Sequence, residues 1–370
     1  MLRRLVISGG GTGGHIFPAI AIADAVKKIN GDVEVLFVGA EGKMEMEKVP
    51  KAGYKIIGLP ISGLKRSLSF DNVKLPFKLA KSLWKAGGLL KEFDPQVVVG
   101  VGGYASGPLL WQATRKGIPA LIQEQNSYPG LTNKWLAERV QKICVAYEGM
   151  DAFFPAEKIL NAGNPVRQDL REGMADKNAA LKYFGLDQNK KTLLVFGGSL
   201  GARTLNEAVL KGADQLASGS DIQLIWQTGK GQYDKYKALF RENWSNIRIM
   251  PFIDKMDLAY AVSDLVVCRA GALTLAELAV LAKPAVLVPS PNVTADHQKH
   301  NAMAFVKKDA AVMVEDDLAA TKLIPTVIEL MGDETRLRQL SENIQAEAKP
   351  DAALDIAAEV FKLATKGSGK

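Results

Sequence analysis

The chain has 370 residues, 47% of them hydrophobic and 24% charged, with a net charge of +7. That length exceeds what one core usually organises, and the composition excludes a disordered or fibrous chain, so two globular domains with a cleft between them are expected. The positive balance points to an anionic partner (nucleic acid, phospholipid or a phosphorylated substrate), and no apolar run nears the roughly 20 residues of a membrane-spanning helix.

The N-terminus carries no pattern expected of a signal peptide, because Met1-Leu2-Arg3-Arg4 leads into a short strand predicted over residues 5–8. That strand empties into Gly9-Gly10-Gly11-Thr12-Gly13-Gly14-His15, and a helix is expected over 19–29 with Pro18 in its first turn. Further strands are predicted at 33–38, 97–101, 120–123 and 143–146, with a helix over 108–116. Gly163-Asn164-Pro165-Val166-Arg167 reads as a turn cluster and hinge. A second series then starts with a strand at 192–196, the turn Gly197-Gly198-Ser199-Leu200-Gly201 and a helix from Ala202. Strands at 222–226, 247–250, 265–267 and 285–288 follow, and the tail beyond about 335 is helical. The alternation predicts an α/β fold of two doubly wound, Rossmann-like domains at 1–163 and 164–340, with a tail at 341–370 packing back on the first. Cys144 and Cys268 sit in separate apolar runs and read as buried thiols.

Five glycines in six residues after a strand suit close backbone approach to a phosphate or a charge-rich reacting centre, and His15 adds an ionisable group at the mouth of that loop. Gly9–Gly14 also satisfies the dinucleotide fingerprint, with Glu41 near the end of the second strand, so a nicotinamide-dependent oxidoreductase stays open on this motif. A second cluster, Gly100 to Gly107, follows the third strand; it serves either strand–helix packing or the same cleft. Gln123-Glu124-Gln125-Asn126 ends the fourth strand with four polar residues, as helix cap or as site. In the second half, Gly197-Gly198-Ser199 before a helix suits a diphosphate. Glu277 lies in the apolar run 270–282, where one carboxylate can accept both hydroxyls of a ribose. Asp296 to Ala302 opens a helix with crowded polar side chains. The chain holds no Asp-x-Asp and no Walker motif, and the spacing of its three histidines fits no zinc helix, so no metal is expected. Residues 61–85 interleave Lys65, Arg66, Lys74, Lys78, Lys81 and Lys85 with Phe70, Phe77 and Trp84, suiting an anionic bilayer surface or a helix packed on the sheet.

The ordered set of motifs is specific where each alone is not. Gly10 to His15, Gly102 to Pro108, Glu124-Gln125-Asn126, Gly163 to Arg167, Gly197 to Ala202, Phe252-Ile253-Asp254, Cys268 to Thr274 and Gln298 before Asn301-Ala302 together resemble the peptidoglycan N-acetylglucosaminyltransferases. The resemblance runs end to end. It implies a GT-B fold, UDP-N-acetylglucosamine as donor, undecaprenyl-diphosphate-linked N-acetylmuramoyl-pentapeptide (lipid I) as acceptor, peripheral attachment to the cytoplasmic face of the inner membrane, no cofactor and no nucleic acid. By resemblance Thr12, Gly13 and Gly14 reach the donor across the cleft, and Asn126 and Arg167 also contact it. Ser199 meets the diphosphate and Ile253 the uracil. Ala272, Leu273, Thr274, Leu275, Ala276 and Glu277 hold phosphate and ribose, and Gln298 the sugar. The family often has His where this chain has Gln123. The other GT-B chemistries, a different lipid glycosyltransferase or a UDP-N-acetylglucosamine 2-epimerase, are the alternatives.

The implied reaction is an inverting displacement in which the muramoyl 4-hydroxyl attacks the anomeric carbon as UDP leaves. It needs a base for the hydroxyl and donors for the growing charge on the diphosphate. His15 is the first candidate base, because an unperturbed imidazole is largely neutral near pH 7, and Glu124 is the second.

Overall fold

The computed structural model describes residues 2–63, 75–166, 170, 175–218 and 221–367. The chain divides into two compact units, Met1–Arg167 with Lys349–Lys370, and Gln168–Ala348. The boundaries thus fall at 167/168 and 348/349, a few residues beyond those expected from the turn cluster and the tail.

The first unit is a parallel sheet of seven strands: β1 (Arg4–Ser8), β2 (Glu34–Ala40), β3 (Lys55–Leu59), β4 (Val97–Gly100), β5 (Ala120–Glu124), β6 (Lys142–Val145) and β7 (Ile159–Asn161). Their spatial order is β3-β2-β1-β4-β5-β6-β7. Among the described residues the α-helices connecting them are α1 (Gly13–Ile29), α2 (Glu45–Lys51), α3 (Leu75–Phe93), α4 (Ser106–Arg115) and α5 (Leu131–Leu136). Alternate strand residues point to opposite faces, and both faces are covered, which is why the strands read as continuous apolar runs. Leu5, Ile7, Val97 and Val99 pack on one side with Ile22 and Val26 of α1, whereas Val6, Val98 and Ile122 pack on the other with Leu109 and Leu110 of α4.

The second unit repeats the plan with six parallel strands. These are β8 (Lys191–Phe196), β9 (Ile222–Gln227), β10 (Ile247–Met250), β11 (Leu265–Cys268), β12 (Ala285–Leu287) and β13 (Val312–Met313), in the order β10-β9-β8-β11-β12-β13. Its helices are α6 (Lys177–Phe184), α7 (Arg203–Ala217), α8 (Tyr233–Ala238), α9 (Met256–Val262), α10 (Ala272–Val280), α11 (His297–Val306), α12 (Ala319–Gly332) and α13 (Glu334–Ala346). The last helix, α14 (Ala352–Gly367), belongs to the first unit, where Ile356, Ala357 and Val360 join the α1 side of the core.

Two features depart from the sequence expectation. Helix α1 begins at Gly13, not at 19, so Pro18 lies inside it and His15 stands in its first turn. Glycine's low helix propensity hides this start, which is secured by Ile16 entering the core. Strands β3, β7 and β13 went unpredicted because they are edge strands of five, three and two residues. Cys144 and Cys268 are buried and free, and burial pushes the Cys144 thiol up to about 12 and Cys268 higher still.

Lys283, between α10 and β12, is 8% exposed, and its ammonium donates to the Ser263 carbonyl at 2.9 Å. Burial depresses it to about 8 from 10.5, against the favourable charge of Asp264. The folded state therefore binds fewer protons than the unfolded one between pH 8 and 10.5, so stability rises with pH across that window, by about 3 kcal/mol. Urea unfolding of the full chain should show wild type gaining on Lys283→Met by that order between pH 7.5 and pH 10.5; parallel pH profiles would show that Lys283 is not the titrating group.

Candidate active site

In each sheet the strand order reverses beside the first strand, between β1 and β4 and between β8 and β11. Turns leaving the carboxyl ends of those strands diverge there and open a crevice. The glycine clusters of the sequence are these turns.

In the first unit the turns after β1 and β4 touch backbone to backbone. A Cβ on Gly103 would lie 2.5 Å from the Gly10 carbonyl, and Gly103 has φ +86°. Ser106 Oγ, buried, lies 2.9 Å from the Ser8 carbonyl and 2.8 Å from that of Gly102, tying the two turns together. The cluster from Gly100 thus does both things its sequence allowed. Gly100 admits the Leu110 side chain, as strand–helix packing, while Gly102 and Gly103 form the wall against which the first loop rests.

His15 lies in that wall. Its Nδ1 is 3.0 Å from the Gly10 carbonyl, and the ring borders Gly102, where a Cβ would come within 3.0 Å of Nε2. A carbonyl only accepts, so Nδ1 carries a proton and donates it to that bond. Thr12 occupies the N-cap position of α1 without a side-chain cap, its carbonyl accepting from the His15 and Ile16 amides, and Gly13 and Gly14 lead the helix.

Beneath the loop is a residue that sequence reasoning passed over. Glu45, fully buried, accepts from the Gly11 amide at 2.9 Å and from the Ala40 amide at 2.9 Å. A Cβ on Gly10 would overlap its carboxylate. The acidic residue that the dinucleotide fingerprint pointed to, Glu41, instead pairs with Lys85 at 3.0 Å. Nothing in Met44-Glu45-Met46 signals the role, since the amide it holds lies 34 positions earlier.

Glu124 is buried and engaged on both oxygens. Oε1 accepts from the amide and side chain of Asn126 at 3.0 and 3.2 Å, and Oε2 from the Gly130 amide at 3.1 Å and Asn133 Nδ2 at 2.9 Å. It braces the turn into α5, the capping role its sequence left open. Gln123 lies in a buried amide network. It donates to Asn164 Oδ1 at 3.0 Å, and its own Oε1 accepts from Gln125 Nε2, which also donates to the Val101 carbonyl at 2.9 Å. Asn164 Nδ2 returns a bond to the Gln125 carbonyl at 2.9 Å. No ionisable group stands at position 123. Arg167 lies outside the described residues.

The second unit holds a cavity of about 530 Å³ at the carboxyl ends of β8, β11 and β12, a size suited to a nucleotide. Gly197, Gly198, Gly201, Arg269, Thr274 and Gln298 are among its walls. The N-termini of α7 and α10 reach it without side-chain caps on Ala202 or Gly271, so amide donors and the positive ends of two helix dipoles converge there. Ser199 is exposed at the tip of the turn after β8. Gly201 packs on the Thr228 carbonyl with φ +76°, a place no side chain fits.

Of the other predicted residues, Thr274 and Gln298 line this cavity, whereas Ile253 and Glu277 lie outside its lining. Ile253 is buried, and its amide donates to Gln227 Oε1 at 3.0 Å while Gln227 Nε2 donates to the Gly198 carbonyl at 2.9 Å. Gln227, missed in the sequence as one more residue of a buried strand, couples the glycine turn to Ile253. Ala272, Leu273, Thr274 and Ala276 occupy the first turns of α10, but the Leu275 side chain is buried in the core, so only its backbone faces the opening of the helix. Glu277 is half-buried and accepts from the Tyr260 hydroxyl at 2.9 Å, which fixes the carboxylate. Gln298 Oε1 accepts from the Ser290 amide at 2.8 Å. Arg269, another omission, is paired with Asp316 and donates to the Val288 carbonyl at 2.9 Å; Asp316 also accepts from Thr204 at 3.1 Å.

Comparison with known proteins agrees with this geometry. The models for the N-terminal and C-terminal domains of glycosyltransferase family 28 match residues 5–145 and 192–356. The chain belongs to that family. It is 55% identical over 364 residues to the UDP-N-acetylglucosamine--N-acetylmuramyl-(pentapeptide) pyrophosphoryl-undecaprenol N-acetylglucosamine transferase of Parabacteroides distasonis, covering 98% of this chain and 99% of that one. The transferase of the same name from Flavobacterium psychrophilum is 48% identical over 360 residues, 97% of each chain. A crystal structure of Acinetobacter baumannii MurG superposes with a TM-score of 0.79 at 28% identity, over 97% of this chain and 99% of that one. A UDP-GlcNAc 2-epimerase from Neisseria meningitidis, bound to UDP-GlcNAc, shares the fold at 14% identity and a TM-score of 0.69 over 98% and 100% of the two chains. The family 28 chain is thus a GT-B glycosyltransferase, and the oxidoreductase alternative is set aside.

Removing Gln227 takes the partner from the buried Ile253 amide and from the Gly198 carbonyl of the glycine turn, at about 1–3 kcal/mol. Gln227→Ala should weaken UDP binding about tenfold by calorimetry; unchanged affinity would exclude Gln227 as the support of the glycine turn.

Proposed function

We infer that the protein transfers N-acetylglucosamine from UDP-N-acetylglucosamine to the 4-hydroxyl of undecaprenyl-diphosphate-linked N-acetylmuramoyl-pentapeptide, with inversion, forming the β-1,4 disaccharide. The observation that carries this reading is full-length identity of about half to transferases named for that reaction, joined to a nucleotide-sized cavity in the family's C-terminal domain.

The donor-side assignment follows from the cavity's chemistry. Amides at the openings of α7 and α10 neutralise the diphosphate and take up the charge that grows on it as UDP leaves. Glu277, held by Tyr260, accepts from the ribose diol, Ile253 borders the uracil, and Gln298 meets the sugar. On the acceptor side the reading of His15 as the base is supported by what each candidate bonds. Glu124 already receives four N–H donors, whereas His15 is held through Nδ1 on the Gly10 carbonyl, which directs the proton-accepting role to Nε2. His15 therefore takes the proton of the attacking hydroxyl, and Glu124 shapes the turn carrying Asn126. His15→Ala should lower kcat by about 10²–10⁴ with the donor affinity retained; a loss below tenfold would remove His15 from that role.

A peripheral place on the cytoplasmic face of the inner membrane suits α3. Phe77, Lys81 and Trp84 recur at helical spacing on one face, with Phe77 and Trp84 77% and 81% exposed. Trp135 stacks on Trp111 at 4.8 Å with Arg139 over the latter ring. Basic and aromatic residues together fit anionic headgroups. Lys65, Arg66, Phe70 and Lys74 lie outside the described residues, and among the described residues no helix is long and apolar enough to cross a membrane. Phe77→Ser with Trp84→Ser should reduce binding to anionic phospholipid vesicles at least tenfold and leave UDP binding unchanged; retained vesicle binding would place the contact elsewhere.

A further inference from the structure

The peptide group joining Gly10 to Gly11 is gripped at both ends. Its carbonyl accepts from His15 Nδ1 at 3.0 Å, and its N–H donates to Glu45 Oε2 at 2.9 Å. Carboxylate, peptide and imidazole thus form one hydrogen-bonded chain from Glu45 to His15 Nδ1. We propose that Glu45 is a positioning residue for His15, acting through the Gly10–Gly11 peptide. The proposal rests on the reading of His15 as the base.

Three observations carry it. Glu45 is fully buried, and its second oxygen is anchored by the Ala40 amide, so the carboxylate belongs to the end of β2 and cannot drift with the loop. The glycines on either side make room for it, because a side chain at Gly10 or Gly39 would overlap the Glu45 side chain. A peptide is also polarisable along its N–H to C=O axis. A carboxylate at the N–H makes the carbonyl a stronger acceptor, an effect of about 10–30% per bond in such chains. Nucleophile–base sites commonly orient the base through a third group, and here a peptide carries that orientation over a longer distance.

During transfer the hydroxyl oxygen bonds to the anomeric carbon, the bond from that carbon to the diphosphate oxygen breaks, and the hydroxyl proton passes to Nε2. The imidazolium that forms bears charge at Nδ1–H, where the polarised Gly10 carbonyl receives it. Other titratable groups on the packed elements are Asp24, Lys27 and Lys28, two turns or more along α1; Glu41, Glu47 and Lys48 around α2; and Tyr104 on the turn after β4. Glu124 ends β5, and Asp355, Glu359 and Lys362 lie on α14, where Asp355 and Glu359 act on Cys144. The bond through the peptide distinguishes Glu45 from these.

The test uses the full-length protein labelled with 15N-histidine, whose three imidazoles are assigned with a His15 variant. Wild-type His15 should be the Nδ1–H tautomer above its titration midpoint. Glu45→Gln keeps the volume and removes the charge, so it should lower that midpoint by about half a pH unit. The acid limb of the kcat profile should move to lower pH with it, because less charge is available to stabilise the imidazolium. Plateau kcat should fall about tenfold while KM for UDP-N-acetylglucosamine stays within about twofold. An Nε2–H tautomer in wild type, or an unmoved His15 midpoint in folded Glu45→Gln, overturns the proposal. If the midpoint moves and the kcat profile does not, the Glu45 link stands and the base assignment falls. Should Glu45→Gln fail to fold, hydrogen exchange at the wild-type Gly11 amide decides: slow exchange supports the clamp, and exchange at the rate of an open loop overturns it.

Discussion

Backbone resting on backbone, with no side chain between, is the contact on which both halves of this protein depend. Gly103 lies against the Gly10 carbonyl in the first unit; in the second, Gly201 lies against Thr228 and Gly229 against Leu200. Each contact brings together two turns leaving neighbouring strands, β1 and β4 in the first unit and β8 and β9 in the second. Three of these glycine positions, Gly103, Gly201 and Gly229, also have φ between +76° and +87°. Any other residue there meets both a collision and an unfavourable backbone region, so the geometry of the turns leaves little freedom for substitution.

The same turn, used twice, serves two different chemistries. In the second unit the helices after the turns open without side-chain caps, and the cavity they border carries Arg269 and Thr274. That suits an anion brought from outside. In the first unit Glu45, an internal carboxylate, already occupies the Gly11 amide. A sequence matching the dinucleotide fingerprint therefore becomes a rigid platform for an imidazole. The difference lies in what the protein itself places beneath the loop.

Polar groups at the strand ends are handled the same way throughout. Glu124, Gln123, Gln125, Asn133 and Asn164 hydrogen-bond to one another and to the nearby backbone, although Asn133 Oδ1 is buried without a partner. Gln227 does this for the second unit with a single side chain. Removing one partner from such a group leaves another buried and unpaired, which is why these residues act as fixed struts for the turns they hold.

The doubly wound plan, the duplicated glycine turns and the polar end of β5 were legible in the chain. They follow from local rules: apolar runs of strand length, glycine after a strand, and polar residues where burial should exclude them. The ordered motifs pointed to His15, Glu124, Ser199 and Glu277 as candidates. Tertiary structure decided what those rules do not reach. It surrounded Glu124 with N–H donors and set His15 against the Gly10 carbonyl, began α1 at Gly13 because Ile16 enters the core, and turned Leu275 inward. It also brought Glu45 under a loop 34 residues earlier and Gln227 across to Ile253. Spacing along a chain predicts which residues share an element; only the pairing of β1 with β2 and β4, and of β8 with β9 and β11, determines which distant amides and carboxylates come within hydrogen-bonding distance.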